Sequence, residues 1–302
     1  MPSLTFHTLD VFTDTVFGGN QLAVFPDAPD LPTAVMQSIA REFNLSETVF
    51  VRPSQHAGAL RALRIFTPHS ELPFAGHPTI GTAQLLVELG IAETSPDGTA
   101  TFAVEEGVGL IPVEVARTAA GGFFSWLTAA REPEHRSDVP GREVLAAILG
   151  LRGDEIMDDE HDSPLACSAG VPYLCLPVCD RAALGRAEVD LARWRAALAD
   201  SWAKELFVFC YEEGEINVRA RMFAPGIGIV EDPATGSAVA AFAGYLWRRE
   251  PKPGHWIIAQ GVEMGRPSTL HLEIRGEHGK MEAVRVGGSA VRVSSGTLQL
   301  PD

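Results

Sequence analysis

The chain has 302 residues, of which 46% are hydrophobic and 21% charged, and it carries a formal net charge of −15. This composition is typical of a globular protein and excludes a disordered one, while the length favours two domains of about 150 residues each. The acidic balance disfavours nucleic acid and anionic membranes as partners, because no basic stripe is present to hold phosphates, but it leaves a small anionic substrate possible.

The first elements predicted along the chain are strands around one amphipathic helix. Strands are predicted at 4–12 and 21–25, on either side of a turn at Gly18-Gly19-Asn20. A helix is predicted to begin at Leu31-Pro32, because apolar residues recur on one face as far as Phe43. This part of the chain therefore predicts a helix that covers one side of a sheet.

The next elements form a strand pair and a helix with almost no polar face. Strands are predicted at 48–52 and 60–66, followed by an apolar helical run at 84–89 that Gly90 ends as a C-cap. A hairpin is then predicted from 99 to 115 around Glu106-Gly107.

The segment 118–122 consists of small, uncharged residues with no predicted helix or strand. It marks the predicted boundary between an N-terminal lobe, 1–120, and a C-terminal lobe, 121–302. The second lobe is predicted to contain another all-apolar helix at 239–247. Its predicted strands are 173–178, 207–211, 217–223 and a stretch from 270 to the end. Gly287-Gly288 is predicted to break that last stretch into a hairpin or bend, and the sequence does not assign the final strand to one lobe.

Three pairs of similar segments occur in the same order in the two lobes. The most similar pair begins at His77-Pro78 and at Asp232-Pro233, and each member lies at the N-terminus of an apolar helix, here called the mouth of the helix. The pairs are 47–51 with 205–209, 64–68 with 221–225, and 77–83 with 232–238. Their order favours a duplication, with each apolar helix buried inside its own sheet.

Two helix mouths that face one cleft would bind an anion such as a carboxylate, since helix N-termini carry unpaired N–H groups and a positive dipole end. Taken alone, His77 is as well explained by a structural role, and Asp232 by an ordinary N-cap. Their equivalent positions in the repeat favour a site in which an imidazole and a carboxylate lie on opposite sides of one ligand.

Glu47 is the candidate proton carrier. It lies where a predicted helix meets a predicted strand, among apolar neighbours. A carboxyl buried there can both take and return a proton. The alternative, that Glu47 begins the strand and points into water, is equally consistent with the local sequence.

The sequence predicts no metal or cofactor site. The acidic loop 158–162 is more simply a solvated surface, and 226–231 begins like a dinucleotide fingerprint but lacks its third glycine. The Cys175-x-x-x-Cys179 spacing lacks a second ligand pair. All four cysteines, Cys167, Cys175, Cys179 and Cys210, are predicted to be buried structural thiols.

A cytoplasmic location is predicted. The first residues lack the basic and apolar segments of a secretory signal, and the longest apolar run, 238–247, is far shorter than the roughly 18 residues of a membrane span. Four cysteines do not make a disulfide framework in a chain of this length.

An ordered set of short motifs spread over both lobes resembles the phenazine-biosynthesis PhzF-like family. The motifs are Asp10-Val11-Phe12-Thr13, Phe17-Gly18-Gly19-Asn20, Asn44-Leu45-Ser46-Glu47-Thr48, Phe74-Ala75-Gly76-His77-Pro78-Thr79, Glu231-Asp232-Pro233-Ala234-Thr235-Gly236-Ser237-Ala238 and Met264-Gly265-Arg266-Pro267-Ser268. The resemblance implies the diaminopimelate-epimerase-like fold. This is an α+β fold of two pseudo-symmetric lobes, each a mixed sheet around a central helix. The family is generally homodimeric, so the resemblance also implies a homodimer here.

The resemblance also implies a chemistry. The founding member of the family is a cofactor-free isomerase of trans-2,3-dihydro-3-hydroxyanthranilate, in which the glutamate matching Glu47 shuttles a proton. Positions matching three further residues line the substrate, and two glycines offer N–H groups to its carboxylate. These residues are His77, Asp232 and Ser237 along the substrate, with Gly76 and Gly236 at its carboxylate. His77 and Asp232 join Glu47 as the predicted catalytic residues, and Ser46, beside Glu47, joins the predicted substrate-binding set.

Relatives that racemise amino acids on this fold use one cysteine at each helix mouth, and neither mouth here contains one. A single-carboxylate shuttle is therefore the predicted chemistry. The alternatives are a non-catalytic protein that binds small carboxylates in the same cleft, and a structural dimer with a vestigial cleft.

Overall fold

The computed structural model describes residues 3–277 and 279–300. Contacts divide the chain into two compact units. The first unit comprises Met1–Ala130 with Gly287–Asp302, and the second comprises Arg131–Val286. The segment 118–122 is the turn between two paired strands of the first unit, where the Thr118 N–H donates to the Gly122 carbonyl at 2.9 Å.

Where the structure describes it, the first unit is mostly strand, with two α-helices. Its elements are β1 Ser3–Val11, β2 Asn20–Phe25, α1 Thr33–Phe43, β3 Glu47–Arg52, β4 Arg61–Phe66, β5 Glu71–Leu72, α2 Gly76–Glu88, β6 Thr99–Glu106, β7 Gly109–Arg117 and β8 Phe123–Thr128. Strand β1 pairs with β2 and with the end of the last strand of the chain, in which Ala290 lies opposite Val11.

The second unit is built from similar pieces. Its elements are β9 Glu134–Arg136, α3 Arg142–Ile148, β10 Leu165–Ser168, β11 Pro172–Pro177, α4 Arg181–Arg186, α5 Leu191–Leu198, β12 Glu205–Tyr211, β13 Val218–Ala224, β14 Ile229–Asp232, α6 Gly236–Arg249, β15 Gly254–Gln260, β16 Ser268–Glu277 and β17 Lys280–Gln299. Strand β17 continues beyond Val286 into the first unit.

Strand pairing follows the same order in both units. In the first, β2 is parallel to β3, β3 is antiparallel to β4, β4 is parallel to β6, and β6 is antiparallel to β7. In the second, β11, β12, β13, β15 and β16 repeat that series of parallel and antiparallel pairs. The shared order confirms the predicted α+β class with two pseudo-symmetric lobes.

The central helix of the first unit, α2, is buried from Gly76 to Val87. Gly81 allows close packing, because a Cβ there would lie 2.6 Å from Val11 Cγ2 and 2.8 Å from Leu22 Cδ2. Gln84, a polar side chain buried in the middle of this helix, donates to the Gly288 carbonyl at 2.9 Å and accepts the Ala290 N–H at 2.8 Å. A polar residue inside the core is thus satisfied by the backbone of β17.

The central helix of the second unit, α6, is also almost wholly buried. Phe242 lies at its centre, with ring centroids 4.7 Å from Phe209 and 5.3 Å from Phe207. The two helices predicted to be buried on all sides therefore occupy the cores of their own units.

The predicted break at Gly287-Gly288 is wrong, because β17 runs without interruption from Lys280 to Gln299. Gly287 is needed for packing, since a Cβ would lie 2.6 Å from Trp126 Cε3 and 2.8 Å from Phe124 Cε1. An aromatic pair from β8 occupies the space that a side chain would fill. A glycine pair in a strand therefore marks close approach here and does not mark a turn.

Two further expectations need correction. Cys179 is exposed, whereas Cys167, Cys175 and Cys210 are buried as predicted. The acidic loop is not uniformly solvated, because Asp162 is buried and accepts hydrogen bonds from the Tyr211 and Tyr245 hydroxyls at 2.8 and 3.2 Å. Within the described ranges, no helix is long and apolar enough to span a membrane.

Candidate active site

Glu47 and His77 meet in the first unit. The His77 Nε2 atom lies 2.9 Å from Glu47 Oε2. The two groups are at ion-pair distance, although the contact lacks the alignment of a hydrogen bond. A carboxyl and an imidazole are the side chains that most often serve as general acids and bases, and here the two lie side by side.

Burial of Glu47 decides between the two alternatives that the sequence leaves open. Glu47 is the first residue of β3, where it pairs with Leu22 of the parallel strand β2, and it is only 8% exposed. His77, the second residue of α2, is 5% exposed. The carboxylate therefore lies inside the unit against an imidazole and does not point into water.

The mouth of α2 lacks a side-chain cap. Its N-cap residue is Ala75, which has no side-chain oxygen to accept the first-turn N–H groups. The N-cap of α6, Thr235, also makes no side-chain cap hydrogen bond. Helix N-termini without such caps retain backbone donors for an anionic ligand, beginning with Gly76 in one unit and Gly236 in the other.

The predicted equivalence of His77 and Asp232 is wrong. In the first unit Ile65 lies opposite Leu72, and in the second its counterpart Met222 lies opposite Asp232. Asp232 is therefore the counterpart of Leu72. Both central helices begin four residues later, so the residue equivalent to His77 is Ser237. The best alignment of the two sequence segments therefore differs by five residues from the alignment that the structure gives.

Asp232 is held at the end of β14 by a compact polar network. The Thr235 hydroxyl donates to its carboxylate, and Gln260 Nε2 donates to its carbonyl at 2.7 Å. Gln260 Oε1 also accepts the Thr235 N–H at 3.2 Å. Asp232 is thus a buried and oriented carboxylate of the second unit.

The predicted serines lie in different settings. Ser237 is half-buried, and its hydroxyl is 2.7 Å from the hydroxyl of Tyr173. Tyr173, on β11, is a neighbour that the sequence did not single out, because nothing marks it apart from other strand aromatics. Ser46 is half-buried in the loop before β3.

Glu106 is a second buried carboxyl that the sequence did not single out. Its Oε1 atom lies 2.6 Å from the Thr79 hydroxyl in the first turn of α2. Burial raises its pKa from 4.5 to about 8, against the opposing effects of hydrogen bonds with Thr79 and the Ala75 backbone. The only available signal was its place at the turn of the predicted hairpin, Glu106-Gly107.

This pKa makes stability depend on pH. In the unfolded chain Glu106 ionises near 4.5, whereas in the folded protein it stays protonated to about 8. The contribution of Glu106 to the free energy of unfolding is therefore fully present below pH 4.5 and is lost as the pH rises to about 8. The loss amounts to roughly 5 kcal/mol, at ~1.4 kcal/mol per pH unit. Glu106→Gln is expected to remove this fall.

Chemical denaturation of the two proteins between pH 5 and 9 measures the difference. All other titrating groups are common to both chains, so the difference between the two profiles isolates Glu106. Parallel profiles would contradict an acid that folding keeps protonated.

The chain is similar to known proteins over nearly its whole length. The family model described as phenazine biosynthesis-like protein, PhzC-PhzF, matches residues 9–296. An uncharacterized isomerase of Mesorhizobium japonicum is 41% identical, covering 99% of both chains. The trans-2,3-dihydro-3-hydroxyanthranilate isomerase of Pseudomonas aeruginosa is 37% identical, covering 97% of this chain and 98% of the relative.

A solved structure has the same fold. The crystal structure of a phenazine biosynthesis protein of the PhzF family from Bacillus anthracis superimposes with a TM-score of 0.88 at 24% identity, covering 99% of this chain and 100% of the other.

Proposed function

The chain belongs to the phenazine biosynthesis-like PhzC-PhzF family, and from this premise we propose that it is an isomerase that moves a proton within a small carboxylate-bearing substrate. The observation that carries the proposal is the buried contact between Glu47 and His77 at the mouth of α2. Relatives covering almost the whole chain are named isomerases, which supports the reaction class.

In the proposed mechanism, Glu47 carries the proton. The carboxylate removes a proton from one substrate carbon and returns it to another, so that atoms and charge balance without a co-reactant. His77 lies beside the Glu47 carboxyl at ion-pair distance and is proposed to orient it toward the substrate. A buried and oriented carboxyl of this kind needs little rearrangement during the reaction.

Backbone donors are proposed to bind the substrate carboxylate. The uncapped first turn of α2 offers the N–H of Gly76, and α6 offers that of Gly236. From the family resemblance we assign Ser46 and Ser237 to substrate binding, and Asp232 to the catalytic side chains that line the substrate. The buried Asp232 carboxylate suits an amino or hydroxyl group, so a cyclic amino or hydroxy acid is the proposed substrate class, and trans-2,3-dihydro-3-hydroxyanthranilate is the first candidate.

The test is an assay in deuterated water with trans-2,3-dihydro-3-hydroxyanthranilate and a panel of small cyclic amino and hydroxy acids. Product formation is followed by NMR, and deuterium in the product by mass spectrometry. We expect an isomerised product. If Glu47 is shielded from solvent, the migrated hydrogen comes from the substrate; if the proton on Glu47 exchanges with solvent before it is returned, the product carries deuterium.

Both hydrogen sources support the proposal, provided that turnover depends on Glu47. Binding of a panel member without isomerisation or exchange would instead favour a non-catalytic protein that binds small carboxylates. Absence of both binding and turnover across the panel would contradict the proposed substrate class.

A further inference from the structure

We propose that Glu106 is a positioning residue for the proposed isomerase reaction: as a neutral carboxylic acid it holds the first turn of α2, and so His77 and Gly76, in the reactive arrangement. The inference rests on the proposed function and adds to it a residue that does not touch the substrate. Two observations support it: the Thr79 hydroxyl has too few protons for its two close oxygen neighbours unless Glu106 is protonated, and the equivalent residue of the second unit is a neutral amide.

The Thr79 hydroxyl has one proton and two close oxygen neighbours. It lies 2.7 Å from the Ala75 carbonyl and 2.6 Å from Glu106 Oε1. If Glu106 were a carboxylate, both neighbours would be acceptors and one contact would lack a proton. When the Glu106 O–H donates to Thr79 and Thr79 donates to Ala75, both short contacts are satisfied.

The surroundings of this chain of bonds favour the neutral acid. Thr79 is fully buried and Glu106 is 5% exposed. Burial, with no neighbouring charged side chain contributing, accounts for the raised pKa of Glu106. The carboxyl therefore reaches the N-cap and the first turn of α2 without placing a negative charge beside the mouth that the substrate anion would use.

The second unit provides an independent comparison. Ala62 lies opposite Glu105, and its counterpart Arg219 lies opposite Ala259, so the next residues along, Glu106 and Gln260, are equivalent. Gln260 accepts the N–H of the α6 N-cap residue Thr235 and donates to the Thr235 hydroxyl at 3.0 Å. The neutral amide of Gln260 thus forms hydrogen bonds with the N-terminus of α6, and Glu106 occupies the equivalent position next to the N-terminus of α2.

This equivalence makes Gln the diagnostic substitution. Glu106→Gln retains a neutral side chain with one donor and one acceptor, whereas Glu106→Ala removes both. Glu106→Gln is expected to keep kcat within about threefold of the unmodified protein, while Glu106→Ala lowers kcat/KM by about tenfold to a hundredfold because His77 and Gly76 lose their alignment.

A second readout does not depend on turnover. The His77 ring resonances, assigned by NMR with a His77→Asn variant, are expected to keep their positions in Glu106→Gln and to shift in Glu106→Ala. Glu155→Ala is the matched control, because Glu155 is a buried carboxyl of the second unit that pairs with the guanidinium groups of Arg152 and Arg186 and, within the described part of the chain, contacts none of the proposed site residues. It is expected to leave both the His77 resonances and kcat unchanged.

The outcomes separate this inference from the proposed function. Loss of activity in Glu106→Gln as large as in Glu47→Gln, or unchanged kcat and His77 resonances in folded Glu106→Ala, would overturn the positioning role. If the unmodified protein turns over no substrate, the proposed function fails, and the His77 resonances alone then support or overturn the role of Glu106.

Discussion

Replacement of Glu47 by Gln is expected to reduce the isomerisation rate by about 10² to 10⁴-fold, the contribution typical of a positioned acid–base group. The amide has the size and polarity of the carboxyl and fits the same place beside His77. It cannot take up and return a proton at neutral pH, so the chemical step loses its carrier. The measurements are kcat and the dissociation constant of the substrate, which is expected to change little.

Glu42→Gln is the matched control, because Glu42 lies on the exposed side of α1 and the charge change is identical. Its kcat is expected to equal that of the unmodified protein. Thermal melting and circular dichroism show whether each variant is folded. A Glu47→Gln protein with normal kcat would refute Glu47 as the proton carrier.

Replacement of Phe242 by Ala is expected to lower the free energy of unfolding by about 3–5 kcal/mol, the usual cost of removing a buried phenylalanine. Phe242 is fully buried at the middle of α6, in contact with Phe207 and Phe209. Its loss removes apolar surface from the core and leaves a cavity that the surrounding strands close only in part. Urea denaturation of the variant and the unmodified protein measures the difference.

Phe17→Ala supplies the same chemical change at a side chain that is 72% exposed. It is expected to alter the free energy of unfolding by less than about 0.5 kcal/mol, as surface substitutions usually do. Similar denaturation midpoints for the two variants would show that α6 is not the centre of the second core.

The sequence by itself determined the plan of each lobe. Runs without a polar face predicted α2 and α6 as buried helices, since periodicity reports how a segment is buried. The ordered segments around 64–68 and 221–225 predicted duplication, and the repeated strand order confirms it. The family motifs singled out Glu47 and His77, which the structure brings to 2.9 Å.

Only the tertiary structure decided the register between the repeats and the partners of buried polar groups. His77 and Asp232 align in a short repeat, yet backbone pairing makes Leu72 the counterpart of Asp232. The Gly287-Gly288 pair has the local pattern of a turn, yet Gly287 lies within the continuous strand β17 and Trp126 of β8 packs against it. Both outcomes depend on segments far apart in the chain, which local pattern does not encode.

Glu106 shows the physical reason most directly. On sequence alone it is a polar residue near a hairpin, with nothing to distinguish it from the neighbouring Glu105. Its burial, its contact with Thr79 and its equivalence to Gln260 arise only when β4 and β6 pair beneath α2. The free energy of a buried carboxyl is set by the partners that folding brings to it, and those partners are specified by packing between distant segments.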